Sequence, residues 1–272
     1  MSKQKFSRAL KKIAMVGEAN GISNVYVVGG YPRALIMENM DDVHDLDIAS
    51  AWPGQAVKLG YLAAAEMVED IPETYQRTGT IKFTYDDIDL EFQGTSGDLS
   101  DNLHIVQEME KFGVSITPLT TNIYARDFTI NTLILDIYDF NTYDITGMGA
   151  RDIKNKVIRA VVDPNISIPK NPLMILRAIR FSLRYSFRID SHLEEAMKKN
   201  RNVLREQLSS ERLQIEVLKM LKEDYDGTLQ LMHEFKLDDI LTNDDYDIFK
   251  VIKDIDIENF EGDISQLIEE KV

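Results

Sequence analysis

Cysteine is absent from all 272 residues. That excludes disulfides and thiolate zinc sites, and it fits a reducing compartment such as the cytoplasm. Long apolar runs are missing as well: stretches such as Val25–Val28 and Leu133–Leu135 are far too short to span a bilayer. Basic residues gather at the N-terminus (Lys3, Lys5, Arg8, Lys11, Lys12), but no apolar block and cleavage site follow them, so no signal peptide is read. Positive charge is scarce, with 31 Lys and Arg against 46 Asp and Glu and a net charge of −15. Taken alone, that balance argues against nucleic acid as a partner. Apolar residues still make up 44% of the chain, which excludes an acidic disordered polymer and leaves a soluble globular protein as the expectation.

What is present is unevenly distributed. Residues 1–150 hold 11 basic against 22 acidic side chains, 151–222 hold 16 against 8, and 223–272 hold 4 against 16. A basic middle therefore lies between two acidic ends, and screening over ~8–10 Å lets such a local surface attract phosphates despite the overall charge. The hydrophobic pattern predicts an amphipathic helix over 3–19, a buried strand at Val25–Val28, a helix near 32–39, a strand at Leu46–Ala49 and a helix near 54–68. A hairpin follows, Ile81–Tyr85 and Ile88–Phe92 about a turn at Asp86-Asp87. Segment 94–122 is polar and reads mostly as loop; Thr129–Asp136 is a helix or a buried strand. From Pro172 the pattern is helical to the end, with Asn171 as the expected cap and Pro172 in the first turn. The fold class expected is α+β followed by all-helical, with the boundary near 165, so that the domains run 1–165 and 166–272.

The sharpest local feature is Asp45-Leu46-Asp47-Ile48. Residues i and i+2 of a strand face the same way, so both carboxylates leave one side of the sheet while Leu46 and Ile48 enter the core. Oxygen donors placed like this suit a hard divalent cation that also takes phosphate oxygens, and phosphoryl transfer uses that arrangement. Upstream, Gly29-Gly30 closes a strand at the start of a helix, where glycine lets backbone amides approach a phosphate. Downstream, Asp87, Asp89 and Glu91 alternate with Ile88, Leu90 and Phe92, so a second strand carries acids on one face.

With these residues in view, Val27-Val-Gly-Gly-Tyr-Pro-Arg33 followed by His44-Asp-Leu-Asp-Ile-Ala-Ser50 resembles the signature of the class II tRNA nucleotidyltransferase (CCA-adding enzyme) and bacterial poly(A) polymerase family. Four further blocks agree in order: Ile88–Gly94, Ala125-Arg-Asp-Phe-Thr-Ile-Asn131, Asp144–Arg159, and Asn171–Phe181 with Phe187-Arg-Ile-Asp190 behind it. The resemblance implies a polymerase-β-like nucleotidyltransferase head with a mixed sheet, followed by a helical neck. It implies Mg²⁺ held by Asp45 and Asp47, with Glu91 as the third catalytic carboxylate and Asp89 as the alternative. Gly29, Gly30 and Arg33 would meet the triphosphate, and Arg126, Asp127 and Asn131 would shape the sugar and phosphate pocket. Asn171, Met174, Arg177 and Arg180 would lie at the nucleotide. The expected substrates are nucleoside triphosphates (ATP, CTP) and an RNA 3′ end, tRNA first; a non-catalytic RNA- or nucleotide-binding relative, or transfer to a non-RNA acceptor, is the alternative. The pattern departs from the family at Ala34, Ala125 and Ser96, and at the base-reading pair, which is Asn171 and Met174 here. Methionine offers no strong hydrogen-bond donor, so looser base selection is expected. Only about fifty residues follow Lys222, room for some helical packing but not for a further RNA-binding domain.

Overall fold

The computed structural model describes residues 3–40, 43–75, 79–94 and 103–241. Ser96 and the acidic end beyond 241 lie outside the described residues. The chain divides into two compact units, Met1–Lys154 and Asn155–Val272. Among the described residues no helix is long and apolar enough to cross a membrane.

The first unit runs α1 (Lys3–Ala19), β1 (Val25–Val28), α2 (Gly30–Met37), β2 (Asp45–Ser50), α3 (Gln55–Met67), β3 (Glu73–Tyr75), β4 (Thr80–Tyr85) and β5 (Ile88–Phe92). It continues with α4 (Leu103–Lys111), α5 (Pro118–Tyr124), a 3-10 turn (Thr129–Asn131), β6 (Leu133–Asp136), β7 (Thr142–Asp144) and α6 (Gly149–Lys154). The strands form one mixed sheet in the order β3-β4-β5-β2-β1-β6-β7. β2 and β5 pair parallel, and the other neighbours pair antiparallel.

Alternation along the strands gives the sheet two different faces. Val25, Val27, Leu46, Ile48, Ile81, Phe83, Leu90 and Phe92 join Phe6, Leu10 and Ile13 of α1 and Leu59 and Ala63 of α3 in the main core. The other face carries Val28, Ala49 and Ile134, which pack under Leu119 and Ile123 of α5. That small cluster covers one end of the face, and the acidic positions of β2 and β5 occupy the other. At the β4–β5 turn both Asp86 and Asp87 have positive φ, 53° and 61°, as a tight two-residue hairpin requires. Their carboxylates are tied to α1, Asp87 by Lys5 Nζ at 2.8 Å and Asp86 by Arg8 Nη1 at 3.3 Å.

Two readings of this unit need correction. The segment expected to be loop contains α4 and α5. In α5, Thr117 and Thr120 cap each other reciprocally and Pro118 sits in the first turn, while Leu119 and Ile123 bury its inner side. Thr129–Asp136 is a 3-10 turn and then a strand, so both expected alternatives apply, each to part of it.

The second unit contains β8 (Val157–Ile158), α7 (Pro164–Lys170), α8 (Met174–Tyr185), β9 (Arg188–Ile189), α9 (Ser191–Asn200), α10 (Val203–Gln207), α11 (Ser210–Glu223), α12 (Tyr225–Glu234) and α13 (Asp238–Leu241). A two-strand parallel ladder, β8 with β9, interrupts the helical pattern. Helix α8 buries Met174, Ile175, Leu176, Ala178, Ile179, Phe181 and Ser182, one continuous stripe. Asn171 does not cap it. The cap position is Leu173, without a side-chain hydrogen bond, and Asn171 instead ends α7. The Asp163-Pro164 step opens α7, with the Asp163 carboxylate accepting from the Asn165 amide at 2.9 Å and Pro164 in the first turn.

Candidate active site

The parallel pairing of β2 with β5 sets Asp45 beside Asp89 and Asp47 beside Glu91. Partners in a parallel ladder face the same way, so all four carboxylates belong to one face. Asp45 is exposed and Asp47 half-buried. Burial, then the neighbouring charges of Asp45 and Glu91, push the Asp47 carboxyl up to about 7, although Arg126 and Lys82 oppose the shift. Like-charged oxygens gathered in partial burial are held apart from their preferred ionised state, and a cation relieves that conflict. The donors are all hard oxygens, which fits a divalent ion such as Mg²⁺. Among the described residues no group of three or more His, Cys, Asp or Glu side chains is already placed to hold a metal ion.

Asp89 and Glu91 are not equivalent. Thr84 Oγ1 donates to Asp89 at 2.8 Å, and Lys82 Nζ stands 3.5 Å from its other oxygen. Glu91 receives only a long contact, 3.4 Å, from Gln93 Nε2 among the hydrogen bonds described, and it lies level with Asp47.

The glycine turn meets this face edge-on. Gly29 has φ 78° and ψ −122°, a conformation reserved for glycine, and α2 begins at the next residue. A Cβ on Gly29 would stand 3.0 Å from Asp47 Oδ2 and 3.2 Å from Arg126 Nη1. The first amides of α2 thus open beside the carboxylates, with the positive end of the helix dipole behind them. Arg33, one turn into α2, donates from Nη1 to Asn131 Oδ1. Asn131 Nδ2 donates in turn to Asp127 Oδ1 at 2.9 Å, which also accepts the Phe128 amide at 2.8 Å. Arg126 Nη2 donates to Asn122 Oδ1 on α5 at 3.4 Å. Gly29, Gly30, Arg33, Arg126, Asp127 and Asn131 are therefore one connected group, although 98 positions separate Arg33 from Asn131.

In the second unit, Asn171 is exposed at the end of α7. Met174 is buried, and its sulfur accepts from Ser167 Oγ at 3.4 Å. Arg177 and Arg180, three apart on α8, both lie over the Phe181 ring, at 5.7 and 5.1 Å. Arg180 Nε is 2.8 Å from Glu216 Oε1 on α11; Glu216 is buried and Arg180 half-buried. Neither atom meets hydrogen-bond geometry, so charge holds this pair. Burial pulls the Arg180 guanidinium below its ordinary value, and Glu216 partly restores it. Sequence reasoning missed Lys82, Asn122 and Glu216. Lys82 had a signal, because it alternates with Ile81 and Phe83 and so must face the acids.

Comparison with known proteins bears on the family and the fold. Residues 25–159 match the Poly A polymerase head domain, and residues 186–242 match a region described as the probable RNA and SrmB- binding site of polymerase A. The CCA-adding enzyme of Lactobacillus helveticus is 31% identical over 202 residues, covering 72% of this chain and 45% of that protein. The tRNA nucleotidyltransferase cca2 of Schizosaccharomyces pombe is 32% identical over 184 residues, covering 66% of this chain and 35% of that protein. The chain thus spans less than half the length of these two relatives. A CCA-adding enzyme solved in an apo form superposes with TM-score 0.73 at 25% identity, over 96% of this chain and 61% of that one. The Thermotoga maritima CCA-adding enzyme complexed with tRNA has the same fold, with TM-score 0.72 at 24% identity over 89% of this chain and 53% of that one. Matched over residues 25–159 and 186–242 and sharing the fold of the solved CCA-adding enzymes, this chain belongs to the class II tRNA nucleotidyltransferase and poly(A) polymerase family.

Proposed function

We propose that the protein is a template-independent RNA nucleotidyltransferase of the cytoplasm, extending an RNA 3′ end, tRNA first, with nucleotides from ATP or CTP and using Mg²⁺. The observation that carries this reading is the parallel register that puts Asp47 level with Glu91 beside the Gly29 turn. In the reaction, the acceptor 3′ oxygen bonds to the α-phosphorus as the bond to pyrophosphate breaks, and the hydroxyl proton is released. Asp45, Asp47 and Glu91 would hold Mg²⁺, whose charge offsets that of the triphosphate and of the attacking and leaving oxygens. The amides of the Gly29-Gly30 turn and Arg33 orient the leaving phosphates. Arg126 balances Asp47, while Asn131 and Asp127 fix Arg33. Of the second-unit residues expected at the base, Asn171 is exposed and Arg177 half-buried, whereas Met174 is buried in α8 and is not assigned to it. Catalysis is then positioning and charge neutralisation, with no covalent intermediate on the protein.

The test is incorporation of each of the four labelled NTPs, singly, into a tRNA lacking its 3′ end, with product sequencing and with Mg²⁺ or Mn²⁺ binding measured by calorimetry. Asp45→Asn and Asp47→Asn should each lower transfer by about a hundredfold or more, on the order of 3 kcal/mol in the barrier, and weaken metal binding while the fold survives. Both variants within a few-fold of wild type would overturn the metal assignment. A non-catalytic relative is the second reading, favoured by the engagement of Arg180 with Glu216. It requires NTP binding without incorporation.

A further inference from the structure

We propose that Lys82 is the cation that holds the backbone of the acceptor RNA on the far flank of the carboxylate face. This rests on the nucleotidyl-transfer reading and adds to it the side from which the acceptor arrives. The strand order defines two flanks about Asp47. On one side stand β1 and the Gly29 turn, with Arg33 and Arg126 behind it. On the other stand β5 and then β4, where Lys82 is level with Glu91. Neighbouring strands lie ~4.8 Å apart, so Lys82 leaves the sheet roughly 10 Å from Asp47 on the same face.

Displacement at phosphorus is in line, with the attacking and leaving oxygens on opposite sides. A triphosphate whose leaving end rests on the glycine turn must therefore receive its acceptor from the β5–β4 side. There the first groups met are Glu91 and Lys82. An RNA strand that delivers its 3′ hydroxyl to that point carries a phosphodiester one nucleotide back, and a point-charge ammonium suits it.

The state of Lys82 fits the task. Its ion pair with Asp89 is loose, 3.5 Å, with side chains 38% and 45% exposed, and pairs so exposed contribute little. Asp89 keeps its bond from Thr84 Oγ1 when Lys82 turns away. Glu73, level with Lys82 on the edge strand β3, accepts from the Tyr75 hydroxyl at 2.6 Å and is held there.

The experiment uses the full chain with Lys82→Met, Lys82→Gln and Lys82→Arg. Steady-state incorporation into a tRNA lacking its 3′ end is measured alongside fluorescence anisotropy of the same RNA between 50 and 200 mM salt. Losing one neutralised phosphate should raise the RNA KM and Kd about fivefold and lower the salt slope by about 0.7–0.9. The NTP KM and kcat should stay within about twofold, and Lys82→Arg should restore RNA binding because it keeps the charge. Thermal melts establish that the variants fold, and Lys82→Gln replaces Lys82→Met if the latter does not. An unchanged RNA KM and Kd, or a loss confined to kcat or NTP KM, would overturn the proposal and leave Lys82 as a partner of Asp89. If the wild-type protein binds RNA but incorporates nothing, the transfer reading fails, and the anisotropy arm alone still decides whether Lys82 holds RNA.

Discussion

Adjacent glycines at the start of α2 should respond to alanine in opposite ways. Gly29 has φ 78° and ψ −122°, and its added Cβ would press on Asp47 Oδ2 at 3.0 Å and Arg126 Nη1 at 3.2 Å. The backbone conformation alone costs an L-residue ~1–3 kcal/mol. For a unit of about this size, each kcal/mol lowers the melting temperature by ~2–4 °C, so Gly29→Ala should melt roughly 2–12 °C below wild type. The two side chains must also give way by a few tenths of an ångström, and both are assigned to the site. Misplacement by about 1 Å can reduce a rate a hundredfold, so about a tenfold loss of transfer is expected here. Gly30, by contrast, is the first residue of the helix, and its added Cβ meets nothing closer than Arg33 Nη2 at 3.8 Å, an ordinary contact. Gly30→Ala should be neutral in melting or gain up to ~1 kcal/mol by restricting the unfolded chain. Differential scanning calorimetry of both variants, with incorporation assayed in parallel, separates the two. If Gly29→Ala melts and transfers like wild type, the reading of a glycine-only turn packed on Asp47 is wrong.

Metal-free protein should lose stability as pH rises from about 4 towards 7. Folded Asp47 keeps its proton up to about 7 while the unfolded residue releases it near 3.8, so the native state binds the extra proton throughout that window. Melts in EDTA should show this slope in wild type relative to Asp47→Asn and no difference in slope above pH 7; parallel curves throughout would refute it. In the second unit, Arg180→Met should cost about 3–5 kcal/mol, because it leaves the buried Glu216 charge unpaired, and Glu216→Gln should cost less, because the half-buried Arg180 keeps access to water. The double variant Arg180→Met/Glu216→Leu should recover much of that in urea titrations, and additive losses would show that the two residues are not coupled.

The strands and their acids were legible because alternation is a local signal. Leu46 and Ile48 must enter the core, so Asp45 and Asp47 cannot, and the same logic fixes Asp89 and Glu91. Local pattern carried no information on register, and only the β2–β5 ladder distinguishes Glu91, level with Asp47, from Asp89, level with Asp45. α5 was missed although Thr117-Pro118 and Thr120 spell a helix start, because its buried apolar positions, Leu119, Ile123 and Tyr124, span less than two turns. The capping expectation for Asn171 failed for a related reason. Pro164 and Pro169 lie within α7, so its helical pattern is weak, and the residue that ends it, Asn171, was credited to the next helix. Helical spacing correctly put Arg177 and Arg180 on one side of α8. It could not show that Glu216, 36 positions on, takes up the second of them.

The parallel pairing of β2 with β5 also bears on how the head assembles. The β4–β5 hairpin closes over two residues, so Lys82, Asp89 and Glu91 can come together early and locally. Asp47 stands 44 positions before Glu91, and β1 meets β6 only across the 108 positions from Val27 to Leu135. Contacts of such separation bear the loop-closure entropy before they return any energy, and they form late. A growing chain that has released β2 but not β5 therefore carries the acids without the cluster. A divalent ion held by these acids would gain its full set of partners only in the finished sheet, so it would stabilise the native state and nothing earlier, and its binding would report whether synthesis and folding of the head had both run to completion.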